Sequence, residues 1–520
     1  MAYRALFFRY LPFFVLWLSL LAMSSYFFEQ KWFITFDGPS HVGNARIMAD
    51  LLSGGTGHVS EYFQFTDFPQ PNWTGHFVMM VFSFFLDGAS AEKMTLLTLL
   101  LSMVFSIRYV LRAFMEQTGL LPLLILPVTF GMFLYSGSYN YCFSIVFLFW
   151  SIGYLQRHLH HLHWKHAPVI LLLSAGTYFS HLSALPVLAM VSGLMLIMEL
   201  KKRYRFFSAE YNRQFLKDAL ILLVAHLPFI VLVYLYQKTF GSNNYFYLPK
   251  AEVFRFMYDG QPLVAWGKTD LPYTRAFVAL LYGAAVFTVF LRLFKRDKSV
   301  AFFRYSDVFF IGAMVLVVLI FWLPDSDTKG GMVTTRLITF HYLFLLLWLC
   351  MHRIQKWVTW VMPILVFGLV FSFVAKHVPE MEYMRKVAND VSGASKFIRP
   401  GDVVLPLNRG GHWLTINLPQ LLGADKPVVV VENYESWHGY FPVSDAVGTP
   451  CPSFPPRSRD WLCSDVLKRL NNGTFRPEHI FYLEQDHHFP CEADLQLFIE
   501  RYYELKYSSQ FCSLYSIKSL

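Results

Sequence analysis

Apolar residues come mostly in long unbroken runs separated by short polar loops, and only near the C-terminus do they alternate with polar ones. The first run, Tyr10 to Phe28, follows Arg4 and Arg9. No small-residue cleavage site comes after it, so it reads as a retained helix that starts in the cytoplasm. Further runs fall at about 93–112, 119–136, 141–156, 167–181, 183–199, 217–236, 274–293, 307–323, 334–351 and 357–375, which makes about eleven spans. The run His76 to Leu86 is shorter than the roughly 20 residues a crossing needs, and it follows Pro69 and Pro71. It therefore reads as a helix lying on or dipping into the outer face. This assignment puts the basic loops at Arg108/Arg112, Arg157/Lys165, Lys201/Lys202/Arg203/Arg205, Lys295/Arg296/Lys298 and Arg353/Lys356 all inside, as the positive-inside rule requires. An odd number of crossings then leaves the tail outside.

Two outer loops, 29–92 and 237–273, are long, and the first contains an amphipathic stretch from His41 to Leu52. After Ala375 the pattern changes. A helix is expected over Pro379 to Pro400, then strands at Val403–Pro406, Val428–Val431, His479–Leu483, Tyr503–Lys506 and Ser513–Ile517 with helical segments between them. The expected fold is an α-helical polytopic membrane protein over 1–375, with a small extracytoplasmic α/β domain over 376–520.

Composition agrees. The chain has 520 residues, 55% hydrophobic and 15% charged, with a mean hydropathy of +0.39; a soluble chain carries about a quarter charged residues. The 53 Phe and 29 Tyr suit membrane helices and interfacial belts. The net charge of +9 sits in the short loops, which argues for membrane topology and against nucleic-acid binding. Cys142 and Cys350 lie in or beside apolar runs, whereas Cys451, Cys463, Cys491 and Cys512 share the tail. Those four have room for two disulfides in any of three pairings and lack zinc-motif spacing, which points to an oxidising compartment.

Polar chemistry gathers at the outer ends of the runs. Asp37, in Phe36-Asp37-Gly38-Pro39-Ser40-His41, directly follows the first span. A carboxylate at the membrane edge invites a functional role, and a helix cap is the plain alternative. His41 is one turn further on, and His181 sits between two short spans. Asp37, His41 and His181 offer ligands for a divalent metal, without the spacing of a compact metal motif. The run His158 to His166 reads as a basic cytoplasmic loop, with metal binding as the other option. Val430 to His438 mixes acids and aromatics suited to stacking on a sugar, or is simply a strand end and loop.

Four features stand together: Asp37 after the first span, Phe68-Pro69-Gln70-Pro71-Asn72-Trp73 before a non-spanning helix, Gly137-Ser138-Tyr139-Asn140 before a membrane run, and Gly330-Gly331-Met332-Val333-Thr334-Thr335-Arg336. In these the chain resembles the GT-C superfamily of polyprenyl-phosphate-sugar-dependent glycosyltransferases, which includes protein O-mannosyltransferases and lipid A aminoarabinose transferases. Asp37-Gly38 stands where relatives often carry Asp-Glu or Asp-x-Asp, and Pro-Gln-Pro where several carry Lys-Pro-Pro or Pro-Pro-Leu. Through Asp37-Gly38-Pro39-Ser40-His41 the chain also resembles an uncharacterised branch of bacterial membrane proteins with an Asp-Gly-Pro-x-His motif.

The resemblance implies an inverting glycosyltransferase at the periplasmic face of a bacterial inner membrane. It would move a sugar from a polyprenyl-phosphate donor to a glycan, lipid or protein acceptor. Asp37 would be the base and Arg336 the donor-phosphate ligand, with His41, Tyr139, Asn140 and His181 binding substrate. No cofactor is demanded, and a divalent metal stays an open option. The competing readings are a transporter or flippase, and a non-catalytic assembly factor for envelope glycans. Span interiors nearly free of acidic residues, and the lack of internal repeats, weigh against transport.

Overall fold

A computed structural model describes residues 2–55, 58–115, 119–241, 244–294, 304–327, 330–351, 356–409, 411–456, 462–483 and 491–518. The basic residues Lys295, Arg296, Lys298 and Arg353 lie outside them.

In chain order the helices begin with α1 (Ala2–Glu29), α2 (Gly38–Leu52), α3 (Val59–Tyr62), α4 (Thr74–Ser83), α5 (Gly88–Phe114), α6 (Leu126–Thr129), α7 (Met132–Tyr135) and α8 (Tyr139–His158). They continue with α9 (Ala167–Ser180), α10 (Ala184–Arg203), α11 (Ala209–Phe240), α12 (Lys250–Asp259), α13 (Leu271–Phe294), α14 (Val308–Trp322), α15 (Val333–Met351) and α16 (Lys356–Ala394). The tail adds α17 (Tyr434–His438), α18 (Leu467–Asn472) and α19 (Glu492–Tyr502). The strands are β1 (Phe63–Phe65), β2 (Val403–Asn408), β3 (Val429–Val430), β4 (Val443–Asp445), β5 (His479–Leu483), β6 (Tyr503–Ser508) and β7 (Cys512–Ile517).

Among the described residues, eight helices are long and apolar enough to cross a membrane. The other three expected spans differ for local reasons. Residues 119–136 break into a 3₁₀ turn and the four-residue helices α6 and α7, with Pro122, Pro127 and Gly131 interrupting the run. The helix α9 has 14 residues, short of a full crossing. The 20-residue α8 is long enough, but Asn140, Ser144, Ser151 and Gln156 dilute its apolarity.

The chain forms two compact units: residues 1–24, 98–134 and 139–376, and residues 25–97, 135–138 and 377–520. The composition change after Ala375 coincides with the last boundary between them, but the first outer loop packs with the tail.

In the first unit, α15 is buried along nearly its whole length, from Leu337 to Cys350. Gly312 of α14 lets that helix approach Phe344 closely, since a Cβ there would meet the ring at 2.9 Å. At the other extreme, α11 exposes Leu216, Leu220, Leu223, Leu227 and Val231 along 32 residues. Such an apolar face is stable against lipid and costly in water.

In the second unit, a five-stranded sheet has the order β3-β2-β5-β7-β6. Pairs β2–β3 and β2–β5 are parallel, and β5–β7 and β6–β7 are antiparallel. All six β2 residues are buried, as a strand covered on both faces demands. Pro406 is tolerated within it for a readable reason. The carbonyls of Asp402 and Val404 accept from Val429 and Val431, so residue 406 would donate to the same side, where β3 has ended. A separate antiparallel pair joins β1 to β4 and ties the segment after α2 to the tail.

One tail disulfide, Cys463–Cys491, is present. Cys451 and Cys512 are buried thiols, so the second bridge for which the four cysteines had room is not formed.

Candidate functional site

The helix α2 was expected to be amphipathic. It is instead buried on almost every side, because Gly38, Gly43, Ala45 and Ala49 keep it slim enough for neighbours to close around it. A Cβ at Gly43 would lie 3.1 Å from the Gln420 side chain and 3.2 Å from its carbonyl. Burial this complete places any polar side chain on α2 among protein partners rather than water.

The start of α2 settles one ambiguity. Asp37 occupies the N-cap position but makes no capping hydrogen bond. Thr35 does that work instead: its Oγ1 accepts from the Gly38 amide at 3.0 Å. The Asp37 carboxylate, half-buried, accepts from Asn417 Nδ2 at 3.3 Å and from the Tyr434 hydroxyl. Burial, and then the Asp37 charge, push the Tyr434 hydroxyl well above its usual range.

One turn into α2, His41 meets His76 of α4 and Glu435 of α17. His41 Nδ1 lies 2.6 Å from Glu435 Oε1, His76 Nε2 lies 2.8 Å from Glu435 Oε2, and the two ring nitrogens are 3.1 Å apart. Side-chain exposure is 5% for His41 and 0% for both His76 and Glu435. Asn44, on the same face of α2, donates to Glu435 Oε2 at 2.6 Å and accepts from Asn433 at 2.8 Å.

The outward-facing ring nitrogens are also held. His41 Nε2 is 2.9 Å from the Gly137 carbonyl, and His76 Nδ1 is 3.1 Å from the Asn72 carbonyl. Both carbonyls belong to residues with left-handed backbone, φ 75° at Gly137 and φ 70° at Asn72. The short helix α17 is positioned by its Asn433 cap, whose Oδ1 accepts from the Ser436 amide at 3.4 Å, and it ends at Gly439.

Electrostatics follow from this packing. Burial alone would pull His41 down, but Glu435, with Asp37 behind it, raises it to about 9. Burial also dominates at His76, which is lowered further by the neighbouring His41 charge. Burial pushes the Glu435 carboxyl up, yet the two imidazoles outweigh it and hold the group well below the carboxylate range. Among the described residues, His41, His76 and Glu435 are the one group of three His, Cys, Asp or Glu side chains with ligand atoms all within 4.8 Å of one another.

The remaining candidates belong to the first unit. The Tyr141 hydroxyl donates to the Arg336 carbonyl at 3.0 Å, and its ring stands edge-on to His181 at 5.3 Å. The Arg336 guanidinium is 5.9 Å from the Tyr141 ring centroid and donates to the Gly331 carbonyl at 2.6 Å. Arg336 and His181 thus share one neighbourhood in the first unit. Tyr139 and Asn140 are buried at the start of α8. In the histidine run, His160 pairs with Glu199 at 3.0 Å, and His158 stacks on His166.

His76 and Glu435 escaped the reading of the sequence. Their signals were weak: one histidine in a short apolar helix, and one acid in the aromatic segment 430–438.

No family model, curated protein or solved structure matches the chain.

Proposed function

We propose that this membrane protein is a glycosyltransferase that moves a sugar from a polyprenyl-phosphate donor to an envelope acceptor, with inversion, at the periplasmic face. The topology that goes with this reading has a cytoplasmic N-terminus, a periplasmic tail and hence an odd number of crossings in a bacterial inner membrane. The observation that carries it is the state of Asp37. Its carboxylate is half-buried, makes no cap to α2, and is oriented by donors from Asn417 and Tyr434. A general base needs this combination of fixed position and remaining access. The neighbouring aromatic segment, with Tyr434 and the exposed Trp437, suits stacking on a sugar. In the first unit, Arg336 stands in the first turn of α15, a helix end that itself favours anions, which fits the role of donor-phosphate ligand.

The test compares lipid-linked sugars and envelope glycans by mass spectrometry in cells with the wild-type gene, a deletion, or Asp37→Asn at matched expression. Loss of one sugar together with accumulation of its lipid donor, in both mutant strains, is the expected result. A wild-type glycan profile in the Asp37→Asn strain would refute the role of Asp37 as base.

A further inference from the structure

We propose that His41 Nδ1, His76 Nε2 and the Glu435 carboxylate are the ligands of a divalent cation of the zinc type. The proposal is independent of the transferase reading.

The first argument is a count of protons. His41 Nε2 and His76 Nδ1 each face a backbone carbonyl, so each must carry a hydrogen. In the neutral imidazoles this leaves Nδ1 of His41 and Nε2 of His76 as lone pairs. Both point at the same carboxylate, at 2.6 and 2.8 Å, and at each other at 3.1 Å. Three acceptors converging in a buried space require positive charge between them. One added proton leaves one ring nitrogen facing a carboxylate oxygen without a hydrogen. Two added protons set two imidazolium groups ring to ring. A divalent cation satisfies all three acceptors at once.

Spacing agrees. Imidazole and carboxylate bind zinc at about 2.0–2.2 Å, which separates ligand atoms of a tetrahedron by about 3.3 Å. Outward shifts of a few tenths of an ångström make the present trio into such a cage. Two imidazoles and one carboxylate are also a donor set that zinc favours.

The surroundings supply the second argument. A metal-bound histidine characteristically gives its other N–H to a carbonyl or carboxylate, which fixes ring and tautomer. Here both do so, and both carbonyls come from residues in the left-handed region, a conformation that is costly at Asn72. Asn44 donates to Glu435 Oε2, the oxygen that faces His76, and so fixes the carboxylate. Three protein ligands leave one position for water or a substrate oxygen. Asp37, which acts electrostatically on His41, balances the remaining positive charge.

The experiment uses the full-length protein in detergent, stripped with a chelator, reloaded with Zn²⁺ or Co²⁺ and passed through a desalting column. Roughly one ion per chain should remain by elemental analysis, with cobalt absorption bands of a low-symmetry, four- or five-coordinate site. X-ray absorption at the zinc edge of the wild type should report two imidazole ligands and oxygen, a readout that needs no variant. His76→Ala and Glu435→Gln should lower bound metal at least tenfold, while His161→Ala/His163→Ala in the exposed histidine run should not. A folded wild-type protein that retains no ion, or metal that follows the histidine run instead, overturns the proposal.

Discussion

The carbonyl of Gly137 receives the Nε2–H of His41 at 2.9 Å, across 96 positions of chain. That bond depends on a cradle only glycine fits. At φ 75° a side chain is strained, and a Cβ would stand 2.7 Å from the Gly38 nitrogen and 2.9 Å from the Asp37 nitrogen. Backbone atoms cannot move aside as a flexible side chain can. Gly137→Ala should therefore cost about 2–4 kcal/mol, combining left-handed strain with overpacking. Gly448→Ala, at φ 78° with nothing within 4 Å of a Cβ, carries the strain without the overpacking and should cost only about 1 kcal/mol. Thermal unfolding in detergent checks both, and equal effects at the two positions would refute the cradle.

Thr35 and Asp37 divide two tasks that a sequence would give to one residue. Because Thr35 Oγ1 takes the Gly38 amide, Thr35→Val should destabilise the second unit by ~1 kcal/mol through loss of a helix-start acceptor. Asp37→Asn should cost less than Thr35→Val, since no capping bond is lost and the amide oxygen can still accept from Asn417 and Tyr434. A stability loss at Asp37→Asn matching that of Thr35→Val would make Asp37 a structural residue and remove the main support for its role as base.

These two positions also mark how far the sequence could be read. Long apolar runs and the change after Ala375 were legible because burial in lipid or in a sheet core writes itself into consecutive residues. The five sheet strands fall where alternating and β-branched segments placed them. Asp37 and His41 were legible as polar residues at a membrane edge. The break within 119–136 was less so: three interruptions in an otherwise apolar run decide it, and tertiary packing sets where the helix resumes. His76 and Glu435 were not legible as partners. They are separated by 359 positions, and His41 and His76 by 35, so no local spacing announces the group. Only the pairing of β1 with β4 and the slim profile of α2 bring them together, and neither leaves a motif.

The Cys463–Cys491 bridge closes a loop of 28 residues in the tail. By chain-entropy arguments such a closure stabilises by about 3–4 kcal/mol. Cys463→Ser/Cys491→Ser should lower tail stability by that order and make the 462–491 region the first cut by protease. Alkylation followed by mass spectrometry, on protein kept from reductant, should find Cys463 and Cys491 protected until reduction. Labelling of both before reduction, on freshly isolated membranes, would contradict an oxidising location for the tail.

Arg46 offers the sharpest separation of charge from geometry. On α2, five residues past His41, its Nη1 donates to the Ser83 carbonyl at 2.6 Å, its Nη2 to Leu86 at 2.9 Å and its Nε to Ala424 at 3.3 Å. The Ser83 carbonyl ends α4, at the negative end of the helix dipole, and Leu86 lies in the turn after it, so the cation both caps α4 and ties it to the tail. Lysine keeps the charge but has a single nitrogen, which cannot span three carbonyls held by a planar fork. Arg46→Lys should thus retain only part of the stabilisation, with a loss of about 1–2 kcal/mol, and Arg46→Ala about 2–3 kcal/mol, since carbonyls bonded to a charged donor are left open. Because α4 carries His76, the loosened helix end should also accelerate amide exchange across residues 76–86 in both variants. Full stability of Arg46→Lys would mean that charge alone, without the fork, holds this helix end.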